Sequence, residues 1–509
     1  MYRSVVCIGC AVLIGAAGIH AAHEGVPQLD IPYADGGSKP VEEWWAAHPF
    51  YPESPNYDPA INSPSNEVSV SAGESIQDAV EGLPVETGGT IRLGAGTYRQ
   101  NVVVQGTPGN PRRHVHILGE DGAVLEGCLT INPSPKADDY DSYDGCLHRD
   151  DADCWATLLN PAQDVYVKNV VFDGYMTLKE VIRLHTVRDV IFDSCTFRNV
   201  VASVDYPNNA MAMINGICQL TNLWFRGCTF QGSENRTLDV TPYNATYLDG
   251  LHGGGMIGCT TTNEYWSNTY LFLTNLDFTE DENGNGQIDY REERECKYVV
   301  IYDNEINSGG SAVVAYTGQQ LLFAGNAVLA GKNHIMQIEP RVADWITYQT
   351  YHHVIVDNTI SNVHLSCLYY KGYESTEAPF GRGVVRCNTF EGYSSSLDPW
   401  PVLIQESGYV EGPHVIEGNC VEDPGCVPAD CELVSGAVTR SPGKRRPAEP
   451  HAAARARAGT VRQHLYTLRG ERVDYNRAAR SPSGVFVTPN GKHVLMEPEK
   501  MRAECGTIK

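Results

Sequence analysis

The chain has 509 residues, 42% of them hydrophobic and 20% charged, with a formal net charge of −24. That charge is uneven: from Ser435 onward 15 Lys and Arg stand against 6 Asp and Glu, a net +9, which leaves −33 for the residues before it. An acidic body with a basic tail excludes nucleic acid as the main partner, and the length suits either several ordinary domains or one long solenoid.

Residues 1–22 read as a secretory signal peptide. Arg3 precedes an apolar run from Val5 to Gly18, which ends in small residues at Ala21 and Ala22. The run is shorter than the roughly 20 residues of a membrane span, and no later segment reads as one, so no integral membrane segment is expected after cleavage. Export permits disulfides among the remaining cysteines. Cys146 with Cys154, and two of Cys420, Cys426 and Cys431, are close enough in sequence to pair. Residues 23–66, rich in Pro, Tyr and Trp, show no period and read as a segment laid on the body or a linker. Within it Trp44 and Trp45 fit an aromatic anchor or a sugar platform.

From Glu67 the pattern becomes regular. Ile76, Ala79, Val80 and Leu83 stand at helical spacing, which predicts a short amphipathic helix over Glu74–Leu83. Gly88-Gly-Thr-Ile-Arg-Leu-Gly-Ala-Gly-Thr97-Tyr98 follows as a strand pair. Further on, one unit recurs: a β-branched strand, a turn at Asn, and a second short strand. The asparagines are Asn304, Asn326, Asn358, Asn388 and Asn419, spaced 22, 32, 30 and 31 residues apart. Such a period predicts stacked repeats. Asn suits a corner because it tolerates the left-handed region, and its amides can bond along the stack. Cys195 and Cys228 occupy the Asn position of earlier repeats, either as a disulfide between neighbouring strands or as two buried thiols. Between Cys228 and Asn304 the pattern lapses, so an insertion is expected over 235–296.

The helix, the strand pair and the Asn-cornered units together resemble the right-handed parallel β-helix proteins of the pectin-lyase-like superfamily, over about Glu67 to Cys431. The resemblance implies an all-β fold, a right-handed parallel β-helix over 67–434 whose open end the helix caps. It leaves activity open, because the superfamily holds lyases, hydrolases, adhesins and inert surface proteins.

The expected insertion carries the most specific short motif. Asp281, Asn283, Asn285, Gln287, Asp289 and Glu292 occupy the ligand places of a twelve-residue EF-hand loop. Gly286 is at the sharp turn and Ile288 at the apolar anchor. Ca²⁺ is hard and wants six to eight oxygens, which this spacing provides. A single loop without a clear paired helix reads as a structural staple.

In β-helices that resemble this chain, substrate lies across the outside of one sheet. Aligning strand ends such as Ile-Arg-Leu-His185, Ala-Met-Ile-Asn215, Asp-Gly-Leu-His252 and Val-Val-Ala-Tyr316 puts Glu339, Lys371 and Glu406 in one column, about 4.8 Å apart per rung. Arg341 and Arg382 lie nearby, with Trp345, Tyr348 and Tyr351 available as sugar platforms. Three functions follow. A polysaccharide (uronate) lyase would use Lys371, or His334, to abstract the proton beside a uronate carboxyl group that Arg382 or Arg341 neutralises. A glycoside hydrolase would use Glu339 and Glu406, two rungs and about 9–10 Å apart. A non-catalytic surface β-helix would bind glycans or space other parts, with Lys371 in a plain ion-pair ladder.

Past Cys431 the repeats stop. Residues 435–459 are a linker of Pro, Ala, Arg and Lys. In 460–509, Leu-Tyr-Thr-Leu-Arg-Gly470-Glu-Arg-Val and Ser483-Gly-Val-Phe-Val followed by Asn490-Gly-Lys-His-Val read as a small β appendage. It resembles the C-terminal sorting domains of type IX secretion in Gram-negative bacteria. The expected protein is a secreted or surface monomer that meets polysaccharide, Ca²⁺ and, through its tail, a secretion machinery.

Overall fold

The computed structural model describes residues 30–32, 38–40, 64–107, 110–132, 162–175, 180–200, 212–231, 244–261, 269–274, 296–307, 312–316, 318–329, 332–338, 351–361, 363–370, 381–391, 402–407 and 414–421. It also describes four strands of the tail, Gln463–Tyr466, Arg472–Asp474, Gly484–Val487 and His493–Met496.

Apart from Asp30–Pro32 and Ser38–Pro40, which pair antiparallel with each other, the strands before the tail stack in parallel columns. One continuous sheet folds into two faces. Sheet A holds the strands that run up to the Asn turn, such as Arg113–Gly119, Ala162–Lys168, Leu251–Ile257 and Cys296–Tyr302. Sheet C holds those that complete each coil, such as Leu129–Ile131, Lys332–Ile338 and Val363–Tyr370. Sheet B contains the 11 short strands after the turn, from Gly96–Tyr98 to Cys420–Val421. Three parallel columns wound in sequence make the expected right-handed parallel β-helix.

The interior follows from alternation within each strand. Val165, Val190, Leu223, Val299, Leu321 and Val385 point inward from sheet A and are fully buried. Phenylalanines stack along the axis in two parallel files. Phe192 lies over Phe225 at 5.3 Å, and Phe172, Phe197 and Phe230 follow at 5.4 and 5.3 Å. Such offset aromatic pairs add about 0.5–1.5 kcal/mol each beyond burial.

The first coil is closed by helix α1, Ile76–Gly82, two residues shorter at its start and one at its end than the spacing predicted. Ser75 is its N-cap, its oxygen accepting the Asp78 N–H, while Ile76, Ala79 and Val80 are buried beneath it. Gln77 Oε1 accepts the Val103 N–H at 2.7 Å and Gln100 Oε1 the Ile76 N–H at 2.9 Å, clamping the helix to the first coil.

At the Asn corner the structure corrects the expected cause. The left-handed residues are Asp303, Gly325, Asp357, Cys387 and Gly418, each one place before the asparagine. Asn304, Asn326, Asn358 and Asn388 are buried, and each donates from Nδ2 to the Oδ1 of the next, at 2.8, 3.0, 2.9 and 3.0 Å. Each Nδ2 also reaches a main-chain carbonyl, and each Oδ1 from Asn326 to Asn419 accepts the main-chain N–H of the preceding asparagine. Asn is therefore selected as a ladder rung rather than for its backbone freedom.

Cys195, Cys228 and Cys259 continue this column towards the N-terminus as buried free thiols. Their sulfurs donate to Val167, Phe192 and Phe225 carbonyls at 3.5, 3.3 and 3.4 Å, standing in for the amide donor. Cys387 and Cys420 each take part in a disulfide.

Cys259 marks a coil inside the stretch expected as an insertion. Asn244–Asp249, Leu251–Ile257, Thr260–Thr261 and Thr269–Thr274 all join the stack, so within 235–296 only 275–295 spans more than a short connection outside the described residues. Its sheet-A strand reads Leu-His-Gly-Gly-Gly-Met-Ile. A Cβ at Gly254 would lie 2.0 Å from the Leu223 carbonyl and one at Gly255 1.8 Å from that of Val300. The coil exists only because both are glycine.

At the far end, Gln463–Tyr466 pairs antiparallel with Val402–Ser407, and Arg472–Asp474 pairs antiparallel with it in turn. The tail thus covers the edge that the last sheet-C strand would otherwise leave open. Gly484–Val487 and His493–Met496 form a separate hairpin.

Candidate functional site

The column predicted from strand ends does not form as aligned. Ile338 pairs with Tyr370, and Tyr370 pairs with Glu406. Glu406 is therefore one residue out of step with Lys371. It shares the register of Ile338 and Tyr370, both buried in the core. The backbone register thus sets Glu406 level with Ile338 and Tyr370, not one residue later as the aligned strand ends required. The other aligned ends separate too. Asn215 pairs with Arg183 while His185 pairs with Ile217, and His252 sits in sheet A opposite Thr221. Glu339, Arg341, Lys371, Trp345 and Tyr348 lie outside the described residues, as does the whole loop from Asp281 to Glu292. Tyr351 begins a sheet-A strand, opposite Gly381, and Arg382 in the strand Gly381–Arg386 has His352 as its Cα partner.

A different column carries ionisable groups together. At the start of eight successive sheet-A strands, from Gly89–Leu93 to Gly318–Ala324, one residue lies in the left-handed region, just before an inward-facing residue. The kink residues are Gly88, His114, Asp164, Asp189, Asn222, Gly253, Tyr298 and Gln320, with φ between 53° and 78°. The pairs on either side fix their register: Arg113 with Gln163 and Val115 with Val165, then Gln163 with Arg188 and Val165 with Val190, then Arg188 with Thr221 and Val190 with Leu223. Successive kinks are one rung, about 4.8 Å, apart. Asn, Asp and His are the non-glycine residues that accept this conformation most readily. The backbone requirement therefore gathers polar side chains into one file.

Four of them are linked. His114 Nδ1 lies 2.6 Å from Asp164 Oδ2, with Asp164 buried and His114 keeping 28% of its side-chain exposure. His116, on the outside of the same strand, places Nε2 3.5 Å from Asp164 Oδ1. One rung further, Asp189 Oδ1 accepts from Asn222 Nδ2 at 2.7 Å and its Oδ2 from Gln163 Nε2 at 3.4 Å. Trp224 Nε1 donates to Asn222 Oδ1 at 2.6 Å. Arg188 Nε is 3.7 Å from Asp189 Oδ2, and both remain partly exposed, at 34% and 18% of the side chain. Burial is the first cause that pushes the Asp189 carboxyl above the usual range. The neighbouring Asp164 charge adds to it, while Asn222, Arg188 and Gln163 oppose it.

The arrangement has a definite chemical capacity. A carboxylate bonded to Nδ1 fixes the imidazole tautomer and makes Nε2 the basic nitrogen. Asp189, its carboxyl shifted upward chiefly by burial, is the candidate proton donor of the column. His114 and Asp189 are two rungs, about 10 Å, apart in backbone, with buried Asp164 between them. By register Arg382 occupies the equivalent place six rungs from Asp189, about 29 Å away along the backbone, so it cannot join this group. Among the described residues no set of three His, Cys, Asp or Glu is arranged to hold a metal ion, and no helix is long and apolar enough to cross a membrane.

Sequence reading missed this column because its members follow no repeat of residue type. The only signal was the position just before each core valine or leucine of sheet A, which is visible once the register is known.

Neither a family model nor a curated protein matches the sequence. Among solved structures, the chain is similar to ORF18 of Geobacillus virus E2, with a TM-score of 0.39 and 10% identity over 70% of this chain and 63% of that one. The chain therefore spans less than two thirds of that protein. It is similar also to the catalytic unit of an α-1,3-glucanase from Streptomyces thermodiastaticus, with a TM-score of 0.35, 11% identity, and 73% and 71% of the two chains covered. A third is the surface adhesin PfbA of Streptococcus pneumoniae, at 0.33 and 12%, covering 67% and 85%. Likenesses at these scores and identities do not bear on activity.

Proposed function

We propose that the protein is an exported β-helix that binds and cleaves a polysaccharide, with His114 as general base and Asp189 as general acid. The observation that carries this reading is the pairing of an Asp164-held imidazole with a partly exposed carboxyl group that burial shifts upward. Environments that push paired groups towards opposite roles mark acid–base sites. A linear polymer also suits the surface. On the outside of sheet C, Arg183, Asn215, Gln337 and Tyr369 alternate with buried neighbours along their strands, and the His334 ring stacks on Tyr369 at 4.6 Å. On these rungs polar and aromatic side chains face outward, a surface that suits a chain of sugars.

Elimination is the reaction preferred. His114 takes the proton on the carbon beside a uronate carboxyl group, a carbon–carbon double bond forms, the glycosidic C–O bond breaks, and Asp189 gives its proton to the leaving oxygen. The base is then His114 in place of Lys371, and Arg188 beside Asp189 supplies a positive charge for the uronate. Hydrolysis by the same two groups, with His114 activating water, is the other outcome of one experiment. Incubation with a panel of polysaccharides should yield products with unsaturated ends. Saturated reducing ends alone would reassign the enzyme to hydrolysis, and no cleavage of any polymer would leave a binding protein.

Ca²⁺ on Asp281, Asn283, Asn285, Gln287, Asp289 and Glu292 would staple the connection between Thr274 and Cys296. A ligand at 100 times its Kd stabilises the folded state by about 2.7 kcal/mol. Calcium should therefore raise the melting temperature and EGTA should reverse the rise, while Asp281→Ala should be insensitive to both. Equal melting with and without calcium would remove the staple. The apolar run after Arg3 and the disulfide-bonded Cys387 and Cys420 support export to an oxidising compartment. The tail's likeness to a sorting segment suits a surface destination.

A further inference from the structure

Asp189 does not stand alone on its rung. Asn222 on the next rung is fully buried, is held at φ 58°, and aims Nδ2 at Asp189 Oδ1 across 2.7 Å. An amide can present either its oxygen or its nitrogen, and the two faces have opposite effects on a carboxyl group. The nitrogen stabilises the carboxylate. The oxygen repels it and favours the protonated acid. Trp224 decides between them. Its indole N–H is a donor only, and at 2.6 Å it can be satisfied only by Asn222 Oδ1. The oxygen is thereby turned towards the indole and the nitrogen towards Asp189.

Trp224 is fully buried in the apolar stripe on the outside of sheet A, with Ile191 and Val300 as its companions, and the Arg226 guanidinium lies 5.8 Å from its ring centroid. The stripe fixes the indole, the indole fixes the amide, and the amide faces the acid.

We propose that Trp224 and Asn222 are positioning residues that set the protonation of Asp189 and so the working pH of the site. For titration the proposal rests on geometry alone. For catalysis it rests on the reading of Asp189 as the acid. The other charged groups facing Asp189 are Arg188 on its own strand and Asp164 on the preceding rung, with His114 and His116 behind Asp164. None of them is altered by changes at Asn222 or Trp224.

Two variants separate the effect from misfolding. Trp224→Phe keeps an aromatic ring in the stripe and removes the N–H together with part of the ring's volume. Asn222→Gly keeps the left-handed backbone and deletes the amide. A hydrogen bond to a charged group contributes about 1.5–3 kcal/mol, which corresponds to about one to two pH units. Titration of the Asp189 carboxyl carbon by NMR in selectively labelled full-length protein should move up by that amount in Asn222→Gly, and upward by less in Trp224→Phe, whose amide keeps its donor but loses its fixed orientation. The alkaline limb of polysaccharide cleavage should move with it. An unchanged carboxyl titration in both variants, or a downward shift in Trp224→Phe, overturns the proposal. If the titration moves while Asp189→Asn leaves cleavage intact, the relay stands and the acid role of Asp189 fails. If the titration is unmoved while Asp189→Asn abolishes cleavage, the acid role stands and the relay fails.

Discussion

Replacing Asn358 by alanine should cost the solenoid about 3–5 kcal/mol, among the largest effects of any single change outside the hydrophobic interior. The side chain sits in the middle of the ladder. Its Oδ1 accepts from the Asn326 main-chain N–H at 2.8 Å and from Asn326 Nδ2 at 3.0 Å. Its Nδ2 donates to the Phe323 and Val356 carbonyls and to Asn388 Oδ1, each at 2.9 Å. Alanine deletes all of these and leaves buried donors on Asn326 without that acceptor, at about 1–3 kcal/mol for each unsatisfied group. Asn419→Ala should cost less, because Asn419 is partly exposed at the end of the ladder and water can replace its oxygen. Urea unfolding of the two variants beside the wild type checks the ranking. Equal midpoints for all three would mean that the ladder contributes nothing net.

Asp189→Asn should lower polysaccharide cleavage about 10²–10⁴-fold, the usual contribution of one positioned acid or base, without weakening the fold at neutral pH. The two halves have one origin. The folded-state pKa of Asp189 is raised, with burial the first cause. The stability linked to its proton is therefore fully present below the unfolded pKa, near 3.9, and is lost as pH rises through the folded value. At neutral pH the charged carboxylate is a burden that Asn removes, and Asn222 Nδ2 can still donate to the new amide oxygen. Asp189→Asn should then melt at or above the wild-type temperature at pH 7 and lose that advantage in acid. A variant that is both inactive and markedly less stable at pH 7 would make Asp189 a structural residue.

Architecture was legible because the solenoid repeats what it needs. Inward β-branched residues recur once per coil, and so do the buried asparagines, whose ladder demands the same residue on every rung it occupies. The chemical site was not legible for the opposite reason. The kink column requires a conformation that Gly, His, Asp and Asn all satisfy, so its members change from rung to rung and leave no period to find. The Glu339–Lys371–Glu406 row shows how narrow the margin is. Both connections before the compared strands vary in length, and a shift of one residue turns Glu406 to the register of the buried Ile338 and Tyr370. The coil through Gly253, Gly254 and Gly255 was hidden differently. Its strand lacks the apolar pattern because neighbouring carbonyls occupy the space where Cβ atoms would stand.

In the proposed mechanism sugar is cleaved at the kink between His114 and Asp189. A crystal structure of Asp189→Asn with an oligosaccharide cut from the best polymer tests it directly. The expected result is a glycosidic oxygen within hydrogen-bonding distance of the residue 189 side chain, with the adjoining sugar carbon facing His114 Nε2. An oligosaccharide seated elsewhere on the solenoid, with the His114 and residue 189 side chains untouched, would contradict the account.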